Sequence, residues 1–268
     1  MYSPYFSFTR IGAMVLRYAY LLRSSWPRVV ELAYWPTVQM ILWGVFNQFL
    51  ATQSSWVAQA TGVLLGAVLL WDVLFRGQLG VSTAFIEEMY SRNLGHLFAS
   101  PLRPVEMVMA LLSISMIRTL IGLSFAALLA IPLYQFSIFS LGLPLLAFFT
   151  NLIVFGWSVG LLVCALILRN GLGAESLAWA VLFALAPISG IYYPVSALPE
   201  WAQWLAWALP SSHVFEGMRE VMFSGTFNMT HFISSVALNI FYMLLCMLVF
   251  LKTFHMARRR GLLLQMGE

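Results

Sequence analysis

Six stretches of this chain, at about 34–51, 57–76, 107–132, 142–168, 175–193 and 231–252, run for close to twenty residues each with almost no charge. A helix rises about 1.5 Å per residue, so such a run matches a hydrocarbon core of about 30 Å. Inside a bilayer only helices and closed barrels satisfy their own backbone, and uniformly apolar runs of this length suit helices. Composition agrees: 61% of the residues are hydrophobic and 9% are charged, where soluble domains carry about 25% charge. No stretch is polar enough to form a separate soluble domain. The expected fold is therefore an all-α membrane protein with six transmembrane helices.

Basic residues set the orientation, because cytoplasmic loops carry the arginine and lysine excess. One end of the alternation holds Arg10, Arg17, Arg23 and Arg28, then Arg76, Arg92 and Arg103, then Arg169, then Lys252 and Arg258, Arg259 and Arg260. The opposite loops, near 52–56, 133–141 and 194–230, hold only Arg219. Both termini are expected in the cytoplasm, and six spans satisfy that parity. The scattered arginines of the first 28 residues lack the order of a secretory leader, so no signal peptide is expected. Segment 5–26 is too charged to span. Arg10, Arg17 and Ser24 recur every seven residues on one helical face, with Phe6, Phe8, Ile11, Met14, Leu21 and Leu22 as the apolar remainder. That pattern suits an amphipathic helix lying in the cytoplasmic interface, with Pro27 and Pro36 marking turns into the first span.

Several chemistries are absent from the pattern. The net charge of +4 reports orientation in a membrane protein, and no nucleic-acid partner is expected. Lys252 is the one lysine and no glycine-rich loop leads to it, so the chain has no P-loop for ATP. His96, His213, His231 and His255 are dispersed, and Cys164 and Cys246 sit inside apolar runs as small core residues. No catalytic residue and no metal site are expected. Gly156-Trp157-Ser158-Val159-Gly160 matches the nucleophile motif G-x-S-x-G, but that motif needs a strand-to-helix turn and this match lies mid-span. Small residues packing one span on another explain it better.

Charges within the spans are expensive and usually functional. Asp72 and Arg76 are four apart and can pair on one helix, as an interfacial anchor. Arg118 lies roughly 16 Å into the third span, beyond comfortable snorkelling. It should face the bundle interior or a watery pathway, and a long, inward-running second span would bring Asp72 level with it. Glu175 reads as an ordinary helix-start acid.

Two long segments do not span. The cytoplasmic one contains NLGHLFASPLRPVEMVMA, with helix-start signals at Pro101, Pro104 and Glu106. The outer one runs PISGIYYPVSALPEWAQWLAWALPSSHVFEGMRE. There Trp201, Trp204 and Trp207 form a stripe suited to headgroups, Pro199 opens a short helix and Pro210 ends it. Non-spanning helices that dip partway into the outer leaflet would account for this composition.

These two segments, after an amphipathic N-terminal helix and a proline-marked first span, resemble the ABC-2 type permeases, the membrane subunits of bacterial ATP-driven exporters. The resemblance covers nearly the whole chain, as a single transmembrane domain over 1–268. It implies a coupling segment at 93–104, in which Asn93, His96, Leu97, Ser100, Pro101, Leu102 and Arg103 press on an ATPase subunit. It implies re-entrant helices at 194–223, with Tyr192, Tyr193, Pro194, Pro199, Trp201, Trp204, Glu216 and Arg219 in an outer gate. Asp72, Arg76 and Arg118 would be the polar residues of the pathway.

The resemblance further implies two ATPase subunits binding ATP and magnesium, a second and identical permease chain, contact with membrane lipid, and a place in the bacterial cytoplasmic (inner) membrane. No cofactor is expected in this chain. The cargo would be a lipid, a glycan or glycolipid, or a hydrophobic drug-like molecule. The competing readings are a secondary transporter or channel working without ATP, and an intramembrane serine hydrolase built on Ser158.

Overall fold

Apolarity on all sides marks a helix for the centre of a bundle, and the run from 143 to 170 is the most uniformly apolar of this chain. The computed structural model describes residues 6–51 and 55–261, so the short loop expected at 52–56 lies largely outside the described residues. Within them, every regular element is helical. Two helices make the core: α3 (Ser55–Tyr90), of 36 residues and so about 54 Å long, and α6 (Leu143–Asn170), which pack along each other.

The α3–α6 contact depends on glycine. A methyl group on Gly156 would stand 2.5 Å from the Leu74 carbonyl oxygen, and one on Gly160 would stand 2.9 Å from Val81 Cβ. This spacing is the small-xxx-small device of membrane helices. Ser158 lies between these glycines, buried, and donates its hydroxyl to the Val154 carbonyl one turn back at 2.9 Å. The nucleophile-like motif is thus the interior of a packed helix.

Around this pair stand α2 (Trp26–Ala51), α5 (Pro104–Tyr134) and α10 (Met229–Arg259). These five helices are long and apolar enough to cross a membrane among the described residues. Ser115 of α5 donates to the Gly77 carbonyl at 2.9 Å and accepts from Trp157 Nε1 at 3.2 Å, tying α3, α5 and α6 together. Asn239 of α10 donates to Asn151 Oδ1 on α6 at 2.8 Å, and Ser235 donates to the same oxygen at 3.1 Å. With the Phe155–Tyr242 ring contact, these pairs advance in the same direction along both helices, so α6 and α10 run parallel. Pro27 sits in the first turn of α2, where its missing N–H does no harm. Pro36, expected at a turn, instead lies inside α2.

The run expected as a fifth full-length span departs most from a simple helix. It forms α7 (Leu177–Leu185), nine residues and only about 14 Å long. Beyond it, Pro187 lacks a backbone donor and Gly190 adopts φ +68°, so the chain turns instead of continuing. The remaining helices are α1 (Phe8–Arg23), α4 (Leu94–Ala99), α8 (Glu200–Trp207) and α9 (Pro210–Ser224). The first two lie at the α3–α5 connection, and the last two follow the turn.

Candidate functional site

At the α3–α5 connection, two buried acids organise the chain. Glu106, in the first turn of α5, receives the Ser7 and Arg103 backbone N–H groups at 2.9 and 3.0 Å. It also takes both ends of the Arg10 guanidinium, at 2.8 Å from Nε and 2.5 Å from Nη2. That bond holds the Arg10 pKa above its usual range. Glu88, near the end of α3, takes Arg17 in the same two-pronged way, at 2.5 and 3.1 Å, and accepts from Asn93 Nδ2 at 2.9 Å. Paired forks of this kind fix orientation as well as charge. The arginine stripe of the N-terminal segment therefore points at the protein. Between the two pairs α1 buries Ile11, Met14, Tyr18 and Leu22, while Phe8, Leu16 and Tyr20 face outward.

This clamp frames the short helix α4. Arg92, with φ +53°, makes the bend from α3. Leu94 and Leu102 point inward, Asn93 is held by Glu88, and Leu97 and Phe98 pack partly against the core. His96, Ser100, Pro101 and Arg103 are exposed. Of the seven residues expected to meet a partner, these four form the available surface.

The segment from 187 to 220 is built around Arg219. Its Nη2 donates to the backbone carbonyls of Gly190, Ile191 and Tyr193, and its Nη1 lies 3.1 Å from Glu216 Oε1. Glu216 in turn accepts the Val195 N–H at 2.6 Å. One ion pair on α9 thus satisfies the backbone that the turn after α7 leaves without helical partners. Pro194 precedes a short 3-10 turn and Pro199 caps α8. Tyr193 donates to the Pro187 carbonyl at 2.5 Å, and Tyr192 stacks on Trp43 of α2 at 4.8 Å. On α8, Ala202 and Ala206 are buried while Trp201 and Trp204 are exposed at 69% and 80%, as the tryptophan stripe anticipated.

Asp72, Arg76 and Arg118 all line one cleft of about 480 Å³ between α2, α3, α5 and α7. They come together with the local Asp72–Arg76 pair that their four-residue spacing allows, and Arg118 is not Asp72's partner. Asp72 binds Arg76 on its own helix at 2.6 Å. The acid nearest Arg118 is Glu87, at 3.6 Å. Arg76 reaches Asp72 over Gly122, where a methyl group would stand 3.0 Å from its guanidinium carbon.

The family model for the ABC-2 type transporter matches residues 18–223 of this chain. The chain belongs to the ABC-2 type transporter family. It is also 30% identical, over 146 residues, to ABC transporter G family member 20 of Dictyostelium discoideum, a stretch that makes up 54% of this chain and 20% of that protein. The chain thus spans about a fifth of the length of that relative.

Membership makes this ABC-2 chain a membrane transport component. It does not by itself point to Glu87, Glu88 or Glu106, of which the sequence marks only Glu106, as a helix-start acid. Their partners lie 71 to 99 residues away for Glu88 and Glu106. The one available signal was an arginine stripe on a segment too short of acids to neutralise itself.

Proposed function

We propose that this chain is the permease subunit of an ATP-driven exporter, in which two identical copies pair in the bacterial cytoplasmic membrane and dock two separate ATPase subunits. The observation that carries this reading is the clamped α4. A short helix with His96 exposed, and the following turn with Ser100, Pro101 and Arg103 exposed, are held at the α3–α5 connection by two buried arginine–glutamate forks. Force applied there would reach α3 and α5 directly, because the clamp's acids belong to those helices.

In this reading both termini are cytoplasmic, the chain crosses six times, and α8 and α9 return within the outer leaflet. The parallel course of α6 and α10 supports a crossing between them, since the chain must regain the end where α6 began. α7 is too short to supply that crossing alone, and the turn after it, closed by Arg219, completes it. ATP and magnesium belong to the partner. The cargo is a lipid, a glycan or glycolipid, or a hydrophobic drug-like molecule.

The test is gentle purification of the tagged chain from its native membrane. An ATPase in near-equal amount, lost when His96, Ser100, Pro101 and Arg103 are replaced together by alanine, supports the reading. A chain that comes alone and moves solute in liposomes without ATP overturns it.

A further inference from the structure

The cleft between α2, α3, α5 and α7 contains a charge that the protein itself answers only through a long ion pair. Arg118 is only 9% exposed, yet its guanidinium makes no hydrogen bond among the described residues, and its Nε is enclosed without an acceptor. An enclosed N–H of a charged fork is expensive to leave without an acceptor. Glu87 balances the charge only loosely. Its carboxylate stands 3.6 Å from Arg118 and 3.9 Å from Arg28, beyond hydrogen-bond contact with either, and is itself partly open to solvent. Asp72 and Arg76, at 2.6 Å, neutralise each other and act as wall.

Glu31, Gln39 and Thr83 add polar groups to the lining, and its apolar part combines Leu22, Leu32 and Leu79 with four aromatic rings. Phe75 meets Trp179 edge to face at 5.8 Å. Trp35, Trp179 and Phe183 also line the cleft and remain 53%, 45% and 68% exposed. A volume of about 480 Å³ falls within the range of sites for small organic molecules. A bare anion would satisfy the arginine and leave these rings uncovered. A neutral apolar molecule would cover the rings and leave the arginine buried without an acceptor.

We propose that this cleft binds an amphipathic molecule with an anionic head, a carboxylate or a phosphate monoester on an apolar body, with Arg118 as its principal ligand and Glu87 as the acid it displaces. The head forms the paired, charge-assisted bonds that guanidinium geometry favours, and the body lies along Trp35, Phe75, Trp179 and Phe183. Glu87 swings to solvent and Arg28 joins the head. As a cargo site this rests on the exporter reading above; as a binding site it does not.

The experiment uses the full chain in nanodiscs of phosphatidylcholine, with 11-(dansylamino)undecanoic acid as probe and its methyl ester as the uncharged match. The acid is expected to bind saturably and the ester at least roughly tenfold more weakly, since a site built to pair a charge rejects the analogue lacking it. Arg118→Gln lowers affinity for the acid by about tenfold or more and leaves the ester unchanged, while Arg118→Lys loses less. Glu87→Gln tightens the acid several-fold, an effect that a damaged fold does not produce and that carries the test should Arg118→Gln fail to fold.

Equal binding of acid and ester overturns the proposal, as does unchanged or weaker acid binding in Glu87→Gln. Full displacement of the probe by inorganic phosphate at matched concentration overturns the amphipathic part. No ATPase enters the measurement, so a lost site with the ATPase still co-purifying sinks this proposal and leaves the exporter reading standing.

Discussion

A carboxylate accepting four hydrogen bonds, as Glu106 does from Ser7, Arg103 and both ends of Arg10, cannot be shortened without releasing both α1 and the turn before α5. Glu106→Ala is expected to free α1, seen as about a tenfold or greater loss of amide-exchange protection over residues 8–23. Glu106→Gln, with one acceptor oxygen left, should lose less. At the other end, His213 Nε2 faces the Trp207 carbonyl at 3.0 Å and must donate to it, so its Nδ1, 3.2 Å from His231 Nδ1, accepts. Burial pushes the His213 pKa down, with the His231 charge adding to it and the Trp207 contact opposing. A base whose folded pKa is depressed stabilises the fold above its ordinary value of 6.5, and that stability is lost as the pH falls from there toward the folded pKa. Protection factors over residues 210–231, which correct for the slower intrinsic exchange in acid, should therefore fall as the pH drops below 6.5, and His213→Gln should flatten that response. The arginines of both clamps were legible in the sequence. Their acids were not, because nothing local says which helix end will fold back upon which.

Whole elements were more legible than single pairs. The amphipathic N-terminal helix, the fresh helix start at Pro104 and Glu106 and the tryptophan-striped helix were all readable, because apolar run length, proline position and the spacing of three tryptophans are local properties. Two features misled. Pro36 reads as a turn, yet α2 runs through it. The 175–193 run has the composition of a span, yet Pro187 and Gly190 end the helix after nine residues, and hydropathy does not register that. The G-x-S-x-G segment offers a direct check at this scale. Gly156→Ala would place a methyl group 2.5 Å from the Leu74 carbonyl, so it should destabilise the α3–α6 pair by about 1–3 kcal/mol and lower the melting temperature in detergent. Ser158→Ala removes one bond within its own helix turn and should leave melting and transport nearly unchanged.

For the molecule as a whole, sidedness is the measurable quantity. Both native thiols, Cys164 and Cys246, are buried, so an introduced cysteine can be read against a low background. Trp204→Cys should react with an impermeant maleimide on intact cells, and His96→Cys only after the cells are opened; the reverse pattern would invert the orientation argued from the arginines. Such a pattern would also place the two ends of α3 on opposite sides of the membrane. That helix is one unbroken rod of 36 residues, and its tight glycine contact with α6 at Gly77 lies off-centre, about 33 Å from Ser55 and about 20 Å from Tyr90 at 1.5 Å per residue. A rod held at such a point is a lever with unequal arms. A shift of about 1 Å at the short arm, where α4 and the clamp are attached, swings the long arm roughly 1.7 Å the other way, so a small push on one face of the bilayer emerges enlarged on the other.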